Sequence, residues 1–497
     1  MLGRIQSQSS AAWMQTLIDD GGIVGTTYQS TQAAMDDPDL VDNGHVVSMG
    51  DDGLQIGPLA RLSETPAYIR APITDVEERL ITWRQSPRSY STAEIAASPP
   101  LSGIRVIEIA TIIAAPLGAS MLADLGAEVI KIEPIAGDPF RSLMSGLGAM
   151  RVNAGKKSLC VNLKTNEGKR IALDLIQDAD IVIHNYRPGV PERLGIDYAS
   201  VQSLNRELIY IQSNGYGPDG PSANRPSTHP IPGAAMGGVF YQMGETLPSD
   251  LLDKEDLLLW TSRLMRANEL NPDPNTSAVI ATSALLGLSA RKRTGRGQQI
   301  LVDMFGANAY ANADDFVRYP GKEARSLPDA GLHGLSAGYR LYECLNSTWV
   351  FLAVVTNADR ETFVDCLREM NISDITTADL DRNDDVTAEQ LMQAFLIHSA
   401  DDWMRLCVDK GVSCVRADYL TPAHFWSSQQ NPHKVPALDA NLGAYHRHAP
   451  LVEFDETPYH AGAAPMKGQH TREVLLELGR TQTEIEALIE SGAISAR

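Results

Sequence analysis

The chain has 497 residues, 43% of them hydrophobic, and carries 42 Lys and Arg against 62 Asp and Glu for a formal charge of −20. That length allows several domains and that apolar content can furnish real cores, while the acidic balance argues against nucleic acid or an anionic membrane as main partner; an anionic ligand would need a local basic pocket. The five cysteines include no C-x-x-C pair and the eleven histidines no H-E-x-x-H, so reduced thiols and no metal site are expected.

The first residues, Met1-Leu2-Gly3-Arg4-Ile5-Gln6-Ser7, hold no apolar signal core, and no run of about 18 apolar residues occurs, which predicts a cytoplasmic protein with no membrane partner. Farther on, Gly57 to Pro66 shares Pro, Leu, Glu, Thr and Pro with Ala449 to Pro458 at five of ten positions, and each stretch is followed by Ala-Pro, at Ala71-Pro72 and Ala464-Pro465. Either this is chance similarity of proline-rich strand ends, or residues 1–95 resemble the tail of a preceding copy of the same domain.

From about Leu101 to Gly220, apolar strand-like runs alternate with amphipathic helical ones, the pattern of a parallel sheet. Strands are expected at Ile104 to Ala110, Glu128 to Glu133, Ile181 to Asn185 and Leu208 to Ser213; helices at Pro116 to Leu125, Glu167 to Gln177 and Tyr198 to Leu204. Ligands of such sheets bind beyond the carboxyl ends of the strands, which singles out the loops 111–116, 134–141, 185–189 and 214–220. The Ala114-Ala115-Pro116 turn offers no glycine for a pyrophosphate, so a nicotinamide-dinucleotide site is disfavoured.

Asp273 stands 21 residues ahead of Thr294, before an Ala/Leu-rich stretch that closes on Arg291-Lys292-Arg293-Thr294-Gly295. The pattern predicts a helix with Asp273 at the N-cap, Pro274 in the first turn and Gly295 as the stop. A carboxylate there either caps the helix or, kept ionised by the helix dipole, serves as a nucleophile. After a strand at Ile300 to Met304, a smaller α+β unit follows, with strand candidates at Tyr339 to Cys344 and Trp349 to Val354 about a turn at Asn346-Ser347. The chain ends in a charged helix from Thr481 to Ser491.

The segments Ser102-Gly103-Ile104-Arg105-Val106-Ile107-Glu108, Ala123 to Glu133 (ADLGAEVIKIE), Gly155-Lys156-Lys157-Ser158, Asn185-Tyr186-Arg187-Pro188-Gly189, Glu192-Arg193-Leu194-Gly195 and Arg293-Thr294-Gly295-Arg296-Gly297-Gln298 are, in this order, distinctive. The chain from about Leu101 to its end resembles the class III CoA-transferases, the carnitine-dehydratase-like group that includes α-methylacyl-CoA racemases. The resemblance implies a Rossmann-like α/β large domain over 96–310, a small α+β domain over 311–420 and a return to the large domain over 421–497. It also implies a dimer of interlocked chains, a homodimer or a heteromer with another family member.

The resemblance further implies that Asp273 is the catalytic carboxylate, with CoA thioester as substrate, a small carboxylic acid as acceptor and no permanently bound cofactor. CoA would be held by Asn185, Tyr186 and Arg193, with Lys156 a further candidate, which suits a ligand needing cations for its phosphates and a planar surface for adenine. A glycine-rich lid would fall at Gly331 to Gly338, a stretch without a continuous glycine run that reads equally as an interdomain turn. His229 falls where racemases of the family resemble one another in carrying a histidine that acts with the aspartate across the substrate α-carbon, although Pro230 replaces the acidic residue usual beside it. A lone histidine between prolines also reads as structural. Three functions follow in order: CoA transfer through Asp273, α-proton chemistry by His229 and Asp273, and a CoA-binding non-catalytic subunit. The acyl group is not legible in the sequence.

Overall fold

Eight strands share one sheet, β2, β3 and β5 of them built mainly on valine and isoleucine: β1 (Arg61–Leu62), β2 (Arg105–Ile109), β3 (Glu128–Glu133), β4 (Lys156–Val161), β5 (Ile181–His184), β6 (Ile209–Asn214), β7 (Gln298–Asp303) and β8 (Ile494–Ser495). The order is β8-β4-β3-β2-β5-β6-β7-β1, the six inner strands parallel and the two edge strands antiparallel to their neighbours. The computed structural model describes residues 2–50, 52–69, 98–244, 253–267, 271–329, 331–382, 385–418, 421–427, 433–439, 443–455, 457 and 461–496.

Parallel strands are covered on both faces, and successive residues here serve opposite layers. Val106, Ile183 and Ile211 pack with Ala119, Leu122 and Ile280 of helices α1 (Ala114–Asp124) and α4 (Pro272–Thr294). On the other face, Ile107, Ile130 and Val182 pack with Ile171 and Leu175 of α2 (Asn166–Gln177) and with Leu475 and Ile485 of the C-terminal helices Thr471–Glu477 and Gln482–Glu490. Two shorter helices complete the surroundings of the site, α3 (Pro230–Ala235) and α5 (Met304–Ala311).

The chain forms two compact units. The larger comprises 1–238, 269–322 and 432–497; the smaller comprises 239–268 and 323–431, and so takes 239–268 from a stretch expected to lie wholly in the large domain. The small unit is a four-stranded antiparallel sheet of Gly334–Ser336, Tyr339–Cys344, Thr348–Ala353 and Ser413–Arg416, backed by helices whose Phe363, Phe395 and Trp403 bury against Tyr342. The turn at Asn346 and Ser347 has both residues at positive φ, 63° and 55°. Residues 331–338 form the first of these strands and the turns about it, with Asp329 accepting from the His333 N–H at 3.0 Å.

Residues 31–62 are integral to the large unit. Ala34, Met35 and Leu40 are buried with Phe305 and Phe316, the His45 ring is 2.6 Å from the Asp303 carboxylate, and β1 pairs with Ile300 and Leu301 at the sheet edge. The repeated stretch at 449–458 holds instead an isolated bridge between Phe454 and Thr457, and Ala71-Pro72 lies outside the described residues.

The expected strands coincide with the observed ones to within a residue or two, but β4 had not been anticipated. Its Lys156-Lys157 start masks a run, Ser158 to Val161, that is fully buried. Strand Ser413–Arg416 and the helix Lys254–Arg266 also escaped the sequence reading.

Candidate active site

Helix α4 starts differently from its sequence signature. Asn271 occupies the N-cap with φ 54° and no side-chain cap, Pro272 is the first helical residue, and Asp273 is the second. The expected capping role of Asp273 is therefore corrected: it stands two positions past the N-cap, and its side chain accepts from no backbone N–H among the described residues. Its Oδ2 lies 2.8 Å from His229 Nδ1, and its Oδ1 makes no hydrogen bond with a described residue. The Asp273 side chain is 8% exposed and that of His229 37%, so the pair faces a cavity rather than open solvent.

The start of α4 is anchored by its own hydroxyls. Thr276 donates to the Pro272 carbonyl at 2.8 Å, and Ser277 donates to both the Asp273 and Ala114 carbonyls at 2.7 Å, joining α4 to the first turn of α1. The helices cross so closely there that a Cβ on Gly118 would meet Ile280 and the Ser277 carbonyl at 3.0 Å. At the far end, Gly295 stops the helix at φ 70° with its N–H on the Arg291 carbonyl. Gly297 lets β7 join the sheet, because a Cβ there would sit 2.0 Å from the Leu208 carbonyl oxygen.

The cavity that Asp273 faces has a volume of about 520 Å³ and gathers the loops after β2, β5 and β6, together with 225–230 and Met304. The first of these loops is strained. Ile112 has φ 71°, an outlier for a β-branched residue, and its N–H donates to Asp138 Oδ1 at 3.2 Å. Asn185 clamps the preceding residue, giving Nδ2 to the Thr111 carbonyl at 2.8 Å and accepting from the Thr111 N–H at 3.0 Å.

Under that loop lies a buried ion cluster. Glu108 and Lys131 are register partners on β2 and β3, 2.6 Å apart; Lys131 also pairs with Asp138 at 2.9 Å and donates to the Ala110 carbonyl at 2.7 Å. Lys156 completes it, bonded to Glu108 and to the Pro116 carbonyl, with its side chain 0% exposed. Lys156, expected near CoA phosphates, has its ammonium locked inside the protein and presents no charge at the surface. Burial pulls its pKa down to about 8, opposed by Glu108 and helped by Lys131.

Asn185 and Tyr186 follow one another at the end of β5 but line different cavities. Tyr186 borders a second one of about 750 Å³ with Arg193, Lys164 and Lys169. Its backbone is held by His184, whose Nδ1 accepts the Tyr186 N–H at 3.2 Å; burial takes this imidazole down to about 3, so it is neutral. Of the expected site residues, then, the fold brings Asp273, His229 and Asn185 to one cavity and Tyr186 and Arg193 to the other, and leaves Lys156 in neither. The sequence reading passed over Arg187, Arg225 and Asn214 in the first cavity and Lys164 and Lys169 in the second. Arg187 and Asn214 lay within the loops singled out at the strand ends, which was the available signal; Lys164 and Lys169 follow β4, the strand that had not been seen.

Comparison with known proteins bears on this arrangement. Residues 101–471 match the family model described as CoA-transferase family III. A Fusarium pseudograminearum protein described as an acyl-CoA transferase is 28% identical over 88% of this chain and 95% of its own length. The mouse succinyl-CoA:glutarate CoA-transferase is 26% identical over 83% of this chain and 93% of its own. The crystal structure of a CAIB/BAIF family protein from Brucella suis superposes with a TM-score of 0.60 at 22% identity, covering 77% of this chain and 100% of that one.

Proposed function

The chain belongs to CoA-transferase family III, and from that premise we propose that it moves CoA from an acyl-CoA thioester to a free carboxylic acid with Asp273 as covalent carrier. A carboxylate oxygen of Asp273 attacks the thioester carbonyl carbon, the C–S bond breaks, and CoA leaves as thiolate from a mixed anhydride. The thiolate then attacks the aspartyl carbonyl and releases the donor acid, leaving CoA on Asp273. The acceptor carboxylate attacks this thioester, and the returning thiolate cleaves the new anhydride on the acceptor side. New acyl-CoA departs, the Asp273 carboxylate is restored, and no proton is consumed or released.

The observation that carries this reading is the Asp273 carboxylate itself, buried at a cavity with one oxygen held by His229 and the other without a hydrogen bond to a described residue. A largely buried setting also suits an anhydride that water would hydrolyse. The cationic cavity at Tyr186, Arg193, Lys164 and Lys169 fits the nucleotide end of CoA, phosphates on the cations and adenine against the phenol.

The 2.8 Å contact also weighs against α-proton chemistry. Two bases acting on opposite faces of one carbon must stand roughly 6 Å apart, each at hydrogen-bond reach of it, whereas these two groups touch. In this account His229 donates Nδ1–H to Asp273 and orients it. Exchange of label between free carboxylic acids and their CoA thioesters should fall on the order of 10⁴-fold in Asp273→Ala, and the wild-type protein should carry a hydroxylamine-sensitive adduct on this residue. Wild-type rates in the alanine variant would end the proposal.

A further inference from the structure

A guanidinium buried without a counter-charge loses hydration with nothing in return, so buried cations are normally paired. Arg225 departs from this. It is 3% exposed, lines the cavity at Asp273, and forms no ion pair with a described residue. Its Nη1 donates to Ser222 Oγ at 3.0 Å and its Nη2 to the Gly25 carbonyl at 2.5 Å. The guanidinium lies over the Tyr216 ring at 5.2 Å, and its Nε–H has no acceptor among the described residues. The neighbouring acid, Asp39, accepts from the Ser222 N–H at 2.8 Å and attracts Arg225 electrostatically without a direct ion-pair contact.

A second buried donor borders the same cavity. Asn214, 8% exposed, accepts the Gly217 N–H on Oδ1 at 2.8 Å, and its Nδ2 finds no acceptor among the described residues. At the rim, exposed Arg187 donates to the Asn224 carbonyl at 3.0 Å and forms no ion pair with a described residue. Buried donors of Arg225 and Asn214 that are unsatisfied among the described residues, and two cations with no ion-pair contact there, therefore border one cavity, and the ligand that satisfies such a set is an anion with several acceptor oxygens.

We propose that this part of the cavity is a subsite for a second carboxylate, so that the acid handled by the enzyme is a short dicarboxylic acid or its half-thioester. The inference rests on the CoA-transfer reading. The reacting carboxylate is not the one held here, because a cation within reach of the Asp273 carboxylate would pair with it, and Asp273 pairs with His229 instead. One carboxyl group meets Asp273 while the other rests between Arg225 and Asn214, and Arg187 draws the acid in from solvent.

The test compares matched acceptors, glutarate against valerate, with the full-length protein and an acyl-CoA donor, followed by chromatography of the CoA products. The ratio of kcat/KM for glutarate over valerate is expected to exceed about tenfold in the wild type and to fall towards one in Arg225→Met, the loss expected when a charged hydrogen-bonding partner is removed. Asn214→Asp, which sets a negative charge against the subsite, and Arg187→Glu at the exposed rim should lower the ratio as well, and they decide the matter if Arg225→Met does not fold. A wild type that prefers valerate, or a ratio unmoved by the substitutions, overturns the subsite. If no acid accepts CoA, it is the transfer reading that fails. Calorimetry then judges the subsite alone: glutarate bound by wild type and not by Arg187→Glu supports it, and glutarate bound no better than valerate overturns it.

Discussion

Asp273 and His229 form one unit, and the two roles open to the histidine separate under a single substitution. His229→Asn keeps an N–H donor for the Asp273 oxygen but has no titratable nitrogen. If the histidine orients the carboxylate, this variant should keep CoA transfer within roughly tenfold of wild type, whereas His229→Ala should lose more. A two-base reaction would instead be abolished in both variants, together with any deuterium uptake at the substrate α-carbon. A second prediction concerns Asp39, which burial raises to about 6 despite its hydrogen bonds from Ser222. Because the folded protein holds this proton more tightly than the unfolded chain, the group favours folding most below about pH 4, and that contribution is lost as pH rises through about 6. Asp39→Asn can still accept from Ser222, so it should stabilise the protein at pH 7.5, by up to about 3 kcal/mol, and leave stability unchanged at pH 4. Thermal denaturation at the two pH values reads this directly.

What the sequence disclosed at this scale was chemistry carried by local pattern. Asp273 ahead of a long apolar helix, and the loop 185–189 at a strand end, stand out by spacing along the chain, whereas a CoA-binding role for Asn185 and Tyr186 came from the family resemblance. Lys156 was misassigned because its environment is set across strands. Nothing in Gly155-Lys156-Lys157-Ser158 shows that Glu108, 48 positions earlier, stands ready to receive the ammonium inside the core. Arg225 was passed over for the same reason, since its want of a direct ion-pair contact shows only in three dimensions.

At the scale of elements, the crossing of α1 and α4 fixes Asp273 relative to the loop after β2. The contact depends on Gly118, and a branched side chain there must push Ile280 and the Ser277 carbonyl aside. Gly118→Val should cost about 1–3 kcal/mol of stability and shift the start of α4. The consequence for catalysis should exceed that for folding, because displacement of a nucleophile by about 1 Å can cost a hundredfold in rate. A variant destabilised but fully active would show that the crossing does not position the carboxylate. Five of the six parallel strands, β2, β3, β5, β6 and β7, were legible because buried parallel strands read as continuous apolar runs. The strand β4 was not, because its two leading lysines carry the signature of a loop, and Lys156 turns inward.

For the molecule as a whole, the segment 31–62 is a working part of the large unit rather than an appendage. Ala34, Met35 and Leu40 are buried with Phe305 and Phe316, and the Gly25 carbonyl receives Arg225. By contrast, helix Ser10–Asp20 buries no residue. Removing residues 1–21 should leave the melting temperature unchanged within about 2 °C, while removing 1–66 should lower it by about 5 °C or more through the loss of several core side chains. The five-of-ten likeness between Gly57 to Pro66 and Ala449 to Pro458 did not reveal this packing, because it is set by contacts with α5 and β7 more than 200 positions away along the chain.

The covalent route makes a demand on individual oxygen atoms that other routes to the same products do not share. When the acceptor carboxylate attacks CoA-bearing Asp273, the oxygen bridging the two carbonyls stays on the aspartate after the thiolate leaves with the acceptor. Wild-type protein turning over with an acyl-CoA donor and an ¹⁸O-labelled acceptor acid should therefore bring heavy oxygen into Asp273, found by mass spectrometry of the tryptic peptide 267–291. Completed CoA transfer with no label in that peptide would contradict the account.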